Sequence, residues 1–178
     1  MKAVLSLIFL FAVLFIVKAQ QYKPVDDKSE VKFTVKNFGF NTPGSLKGLK
    51  GSIKFNPSDV ASSSFNVSVD VNTINTGVDA RDSHIKKEEY FNAEKFPVIS
   101  FSSTKIAKEK DSYIVTGNLT IKGVTRPISF PFTVQNQDNG LVFSGSITIN
   151  RKDFNVGGSS AVLSNSVDVS LKVFSVKD

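Results

Sequence analysis

A period of two in hydrophobicity, repeated along almost the whole chain, constrains the fold more than any other feature. In Glu30–Phe38, Val31, Phe33 and Val35 alternate with Lys32, Thr34 and Lys36. In Ser64–Asn72, Phe65, Val67, Val69 and Val71 alternate with Asn66, Ser68 and Asp70. In Pro127–Asn136, Ile128, Phe130, Phe132 and Val134 share one parity. Successive side chains of a strand point to opposite faces, so each segment reads as a strand with one face buried.

Five further segments carry strand signals: Ser45–Phe55, Val98–Ala107, Ser112–Lys122, Leu141–Asn150 and Ser166–Val176. Gly48 and Gly51 inside the first of these mark a bulge or a close backbone approach. Phe38–Gly44, Asn56–Asp59, Lys110-Asp111 and Asp138–Gly140 read as turns, and Lys122–Pro127 as a reversal with Pro127 opening the returning strand. Pro131 falls mid-strand and demands an edge or a bulge there. The period changes only at 79–96, where charge and helix formers predict one or two short helices, with Asp79 or Asp82 as N-cap. Eight alternating strands with too little helix to cover a sheet predict an all-β, antiparallel eight-stranded barrel; a sandwich is the competing architecture.

The first 19 residues stand apart. Lys2, an apolar run from Val4 to Val17 and Val17-Lys18-Ala19 form a secretory signal peptide with cleavage after Ala19. An uncleaved anchor is the competing reading, but the run is shorter than the roughly 20 residues of a spanning helix. The expected domain is therefore 20–178, in the periplasm or secreted. Removing Lys2 and Lys18 takes the formal charge from +6 to +4. The remaining lysines are scattered, which suits solubility or contact with anionic headgroups better than nucleic acid. With no Cys there is no disulfide, thiol nucleophile or thiolate metal site. Three of the 16 Phe lie before residue 20; the other 13, with no Trp, supply rings that need a dry environment and offer no hydrogen bond.

Alternation alone does not say which face is inside, because a membrane barrel turns its apolar face outward. The opposite face here carries Lys, Asp, Ser and Thr on nearly every strand, and girdle aromatics are scarce. Apolar-inside follows, as a packed core or a pocket. Catalytic chemistry finds little support. His84 is the one histidine, so a Ser–His–acid arrangement would need it, with Asp82 beside it. Asp26-Asp27 lacks further ligands at metal spacing, and Glu88-Glu89 fits a solvated helix face. Arg151 could pair with Asp153 or a distant carboxylate, or receive an anionic headgroup at a barrel mouth.

Four stretches, in order, carry a family resemblance: Arg81-Asp82-Ser83-His84-Ile85; Tyr90-Phe91 running on to Lys95-Phe96-Pro97-Val98-Ile99-Ser100-Phe101-Ser102-Ser103-Thr104; Gly117-Asn118-Leu119-Thr120-Ile121-Lys122-Gly123-Val124-Thr125-Arg126-Pro127; and Asn150-Arg151-Lys152-Asp153-Phe154. Together they resemble the YceI-like family pattern of RDxHL, FF…KYPxIxFxST, GxLTIKGVTxP and (N/D)RxDFG, across essentially all of 20–178. The resemblance implies an exported bacterial protein with a lipocalin-like barrel that binds polyisoprenoid or other long-chain amphipathic lipids in an elongated cavity. Members are often dimers, with roles proposed in lipid or quinone-precursor transport and in stress. Two departures bear on the headgroup. Lys28 and Asn37 stand near the places of two first-strand histidines, and the family's DFG becomes Asp153-Phe154-Asn155.

On this reading the protein is not an enzyme and carries no cofactor or metal. Phe33, Val35, Phe65, Val67, Phe101, Leu119, Phe130, Phe132, Phe143 and Ile147 are the expected cavity lining. Asn37, Arg81, His84 and Arg151 are the candidates for the mouth and headgroup. The expected partner is a hydrophobic small molecule, an isoprenoid or acyl lipid, with transient membrane contact, a homodimer and no nucleic acid. The alternative is a structural or stress-related interaction module with a filled core.

Overall fold

The computed structural model describes residues 20–178; the signal segment expected at 1–19 lies outside the described residues. Nine strands run β1 (Gln20–Pro24), β2 (Glu30–Asn37), β3 (Phe40–Phe55), β4 (Ser64–Asn75), β5 (Val98–Glu109), β6 (Ser112–Ile121), β7 (Val124–Gln137), β8 (Gly140–Asn150) and β9 (Leu163–Lys177), with one helix, α1 (Asp79–Ile85), between β4 and β5. The sheet order β3-β2-β9-β8-β7-β6-β5-β4 closes when β4 pairs back onto β3, and every pairing is antiparallel. The eight-stranded barrel is therefore present, with its apolar parity turned inward.

The ninth strand does not widen the barrel. β1 pairs with the lower ends of β3 (Gln20 with Phe55) and β9 (Tyr22 with Lys177), while β2 fills the same gap higher up. A 3-10 turn, Asp26–Lys28, offsets the two halves, and Asp26 Oδ1 accepts the Leu49 N–H at 2.8 Å. Gln-Gln-Tyr-Lys-Pro is five residues long with no apolar alternation, so nothing in its sequence announces a strand.

Several boundaries differ from expectation for one reason. The Phe38–Gly44 reversal is only a two-residue turn: Phe38 and Gly39 both have positive φ, and β3 begins at Phe40. The reversal read at Lys122–Pro127 is likewise Lys122-Gly123 alone, with Val124, Thr125 and Arg126 already in β7. Pro43, Pro127 and Pro131 all lie within strands, but each stands where one neighbour is missing. β3 pairs with β4 only from Ser45 onward, and β7 pairs with β8 only from Phe132 onward. Proline cannot donate to a ladder and is tolerated at such local edges. In β3 the register shifts between Ser45 and Lys47 and between Lys47 and Lys50. Gly48, within the second shift, and Gly51, just after it, have positive φ; Gly51 pairs in register with Val67, and a Cβ on it would lie 2.8 Å from Val67 Cα. These bulges bend the strand so that the sheet can close.

The helical insertion is also shorter than expected. Only Asp79–Ile85 is α-helical, and turns carry the chain to Pro97. The N-cap is Val78, with no side-chain cap, so neither Asp79 nor Asp82 has that role. Asp82 is instead buried. Its Oδ1 accepts the Thr76 N–H at 2.9 Å and the Thr76 hydroxyl, tying the helix to the end of β4.

The barrel has two unlike ends. At one lie β1, the 56–63 connection and the turns at 110–111 and 138–139. At the other lie the Phe38-Gly39 turn, α1 with its following turns, the Lys122-Gly123 turn and the long 151–162 connection.

Candidate functional site

The first end is solid. Phe55, Phe65, Tyr113, Phe132 and Phe143 form a ring cluster with centroids 5.2–6.4 Å apart, mostly edge to face. Ile53, Ile106 and Val115 fill the space around them, and Val115 is fully buried. Edge-to-face contacts add to the burial of the rings themselves. This cluster is the floor of the barrel.

Above the floor the interior is a cavity of about 480 Å³. It reaches down to Ile53, Phe65, Phe132 and Phe143 but not to Phe55 or Tyr113. Its wall is built from the inward parity of every barrel strand, including Val31, Phe33 and Val35 of β2 and Val167, Val169, Leu171 and Val173 of β9. Many of these inward residues are only half-buried. In a packed core the same parity would be sealed; here it faces open space. The expectation of a filled interior thus describes the floor and not the upper barrel.

Glycines set the width of this space. Gly44 pairs with Phe33 across β2 and β3, and a Cβ on Gly44 would come within 2.7 Å of both Cε atoms of the Phe33 ring. A Cβ on Gly117 would lie 2.6 Å from Phe101 Cζ, and one on Gly145 would lie 3.3 Å from Phe130 Cε2. In each case the ring lies down over a strand that has no side chain beneath it. Rings that would otherwise project into the lumen become part of the wall.

All ten side chains expected to line a cavity, Phe33, Val35, Phe65, Val67, Phe101, Leu119, Phe130, Phe132, Phe143 and Ile147, border this one space. Among its described lining residues there is no Asp or Glu, and the formal cations are Lys32, Arg81 and Arg151. The expected mouth residues Asn37, Arg81, His84 and Arg151 also border it, at the end away from the floor. They are not equivalent. Arg151 is only 5% exposed, and its guanidinium donates to backbone carbonyls: Nε to Ser164 at 2.9 Å, one terminal nitrogen to Val156 at 2.8 Å and Gly158 at 3.0 Å, and the other to Leu163 at 3.4 Å. Neither Asp153 nor another carboxylate pairs with it among the described residues. Five donors in a planar fork make Arg151 the organiser of the 151–162 connection, not a free receptor for a headgroup.

Arg81 donates Nε to the Thr76 hydroxyl at 2.7 Å and a terminal nitrogen to the Thr76 carbonyl at 2.8 Å. Thr76 is therefore held from two sides, by Arg81 and by Asp82. His84 is exposed, with Nδ1 3.6 Å from Glu89 Oε1 and its ring edge-on to Tyr90. Asp82 bonds Thr76 and not His84, so the two do not form an acid–imidazole pair.

The 151–162 connection covers part of the mouth. Phe154 and Val156 are buried against Ile121, Tyr90, Phe91 and Ile149, and the Gly157 N–H donates to Glu89 O at 2.9 Å. Asn155, where the family pattern has Gly, takes a left-handed φ of 56°. What is left of the mouth is rimmed by Asn37, Thr42, Thr76, Ser160, Val162 and Leu163. Ser160 and Val162 belong to a Gly/Ser-rich loop with no period, and Leu163 opens β9 ahead of its alternating stretch, so sequence reasoning had no signal by which to place them at the site.

This geometry can hold an apolar body and leave its outer end at a polar rim. The YceI-like domain matches residues 22–174, nearly all of the described chain. The chain belongs to the YceI-like family. A UPF0312 protein of Yersinia enterocolitica is 31% identical over 171 residues, covering 89% of this chain and 88% of its own. The crystal structure of BcnA from Burkholderia cenocepacia superposes with a TM-score of 0.79 at 28% identity, covering 83% of this chain and 96% of BcnA. A polyisoprenoid binding domain from Saccharophagus degradans, implicated in plant cell wall breakdown, shares the YceI-like fold at a TM-score of 0.72 and 18% identity, covering 88% and 98% of the two chains. Its likeness speaks to the fold alone. The YceI-like barrel is a binding-type fold.

Proposed function

We propose that this YceI-like protein is an exported, non-enzymatic carrier that holds the tail of a long-chain lipid, polyisoprenoid or acyl, in the upper barrel with its polar end at the rim. The observation that carries the reading is the cavity of about 480 Å³, apolar along its length, free of Asp and Glu in its described lining, and closed below by rings. The inward side chains of the strands make that wall mostly hydrocarbon, suited to keeping an apolar chain out of water. A tail burying several hundred Å² there gains at roughly 25 cal/mol/Å², enough for micromolar binding after ordering costs. The solved Saccharophagus degradans domain named for polyisoprenoid binding agrees with this choice of cargo. The signal segment read at 1–19 supports export to the periplasm, where a carrier would meet lipid at membranes.

Native mass spectrometry of protein purified from its host tests the reading. A retained lipid mass that exchanges for added prenyl or acyl lipid is expected. Val169→Trp, which puts an indole into the lumen, should fold normally and take up no lipid. Protein that arrives empty and stays empty when offered both lipid classes, or a Val169→Trp variant that binds as well as the parent, refutes it.

A further inference from the structure

Among the described residues, large exposed apolar side chains are confined to one end. The large apolar residues left exposed among those described are Phe38 (70%), Phe40 (78%), Val78, Val98 and Val162. All five sit at the mouth end, on turns, loops or the first residue of a strand. Phe38 and Phe40 are the only exposed Phe between 20 and 178. They flank Gly39 at the tip of the β2–β3 hairpin. Phe40 stands opposite Asn37, a cavity-lining residue, so it continues the inward parity of the wall out beyond the rim. Phe38 donates its N–H to Val162 O at 2.9 Å, which sets Val162 beside the tip.

The tip is held in this form against local preference. Phe38 has φ 50° and Gly39 has φ 80°, the pattern of a two-residue turn whose first position ordinarily takes Asn, Asp or Gly. A bulky ring in the left-handed region, mostly in water, contributes little to the fold. Its surroundings are nearly free of charge: residues 35–42 and 157–165 contain one ionisable side chain, Lys36.

We propose that the Phe38-Gly39-Phe40 tip, with Val162 and Lys36, docks on a lipid bilayer and brings the cavity mouth against it. The inference rests on the carrier reading and supplies its loading surface. Two features favour a bilayer over a protein. Two aromatic side chains and a valine bury roughly 400–500 Å² in total, whereas a stable protein interface takes about 800 Å² from each partner. A protruding tip also suits a fluid that needs no matching shape, and its single charge is a cation beside otherwise neutral residues, as anionic headgroups favour.

The chain has no Trp, so Phe40→Trp gives a single emitter at the tip and Ser58→Trp a control at the floor end. With vesicles of phosphatidylethanolamine containing a minority of phosphatidylglycerol, the Phe40→Trp emission should shift to the blue and the Ser58→Trp emission should not. Phe38→Asn combined with Phe40→Ser should weaken co-flotation with these vesicles by about tenfold or more. Asn suits the left-handed turn position, so this variant should keep its fold, and its uptake of a fatty acid dispersed in solution should match the parent. Uptake that fails in the parent strikes the carrier reading. Normal uptake with no vesicle shift, or flotation unaffected by the double variant, overturns the docking inference. A blue shift that grows with protein concentration in the absence of vesicles assigns the tip to a second copy of this chain and overturns it equally.

Discussion

Gly44→Ala adds one methyl to the barrel wall, and the structure says where that methyl goes. Its carbon would lie within 2.7 Å of both Cε atoms of Phe33. Carbon atoms rest at about 3.5–4.0 Å, so the ring must retreat by roughly 1 Å. The strand behind it leaves one direction free, into the lumen. Forcing a side chain off its place in a packed wall costs about 1–3 kcal/mol. Against this, Ala in a strand gains about 0.5–1 kcal/mol over Gly in conformational entropy. The net expectation is a loss of about 1–2 kcal/mol, or roughly 2–8 °C in Tm for a domain of this size. The displaced ring also narrows the cavity, so lipid uptake should fall. Thermal unfolding of a double-mutant cycle isolates the cause. In a Phe33→Leu background the contact is gone, and Gly44→Ala should become neutral or stabilising. A coupling of at least about 1 kcal/mol between the two sites is expected. If Gly44→Ala costs the same in both backgrounds, the ring-over-glycine account of the wall is wrong.

Other substitutions test the remaining parts. Arg151→Met should destabilise by about 3 kcal/mol or more, because it strands several carbonyls that the guanidinium now satisfies; denaturant unfolding reads this, and lipid affinity per folded molecule should be preserved. Phe143→Ala in the floor should cost about 3–5 kcal/mol and let the cavity run on toward Phe55 and Tyr113, seen as binding of longer chains. Asp82→Asn keeps an acceptor for the Thr76 N–H but weakens a charge-assisted pair, so it should cost less than Asp82→Ala when the two are compared by thermal unfolding. The Lys32 ammonium, hydrogen-bonded to Glu30 at 2.7 Å, holds the Glu30 carboxyl below its usual value. Its small contribution is present above the unfolded carboxylate pKa and is lost as pH falls through the folded one. Glu30→Gln should therefore lose that small contribution at neutral pH, match the parent below the folded pKa, and so flatten a little of the acid limb of a stability–pH curve.

The barrel was legible because its rule is local. Each strand's inward parity can be read two residues at a time, and closure follows once eight such strands lack helices to cover them. The ten expected lining residues come from this parity and meet around one space. Features that depend on distant partners were not legible. β1 becomes a strand only because β2 leaves its gap unfilled. Pro127 reads as a strand opening and Pro131 as an edge or bulge, but which neighbour is missing, and that Pro43 lies in a strand and not a turn, shows only in the pairing. Arg151 reads as a cation paired with a carboxylate or offered to a headgroup, yet the carbonyls that occupy it come from a connection with no pattern of its own and from the start of β9. The cavity itself depends on Gly44, Gly117 and Gly145 lying under rings on other strands or at other heights, which no single-strand period records.

The ring-packed floor also fixes the order of events for anything the barrel carries. A tube sealed at one end has one doorway, so cargo leaves by the reverse of the route it entered. By microscopic reversibility the protein itself then confers no direction on transfer. On the proposed carrier reading, flow from a donor to an acceptor would be set by where the lipid is more stable, and the protein would contribute the rate of exchange. A variant that pierced the floor would change this by opening a second doorway.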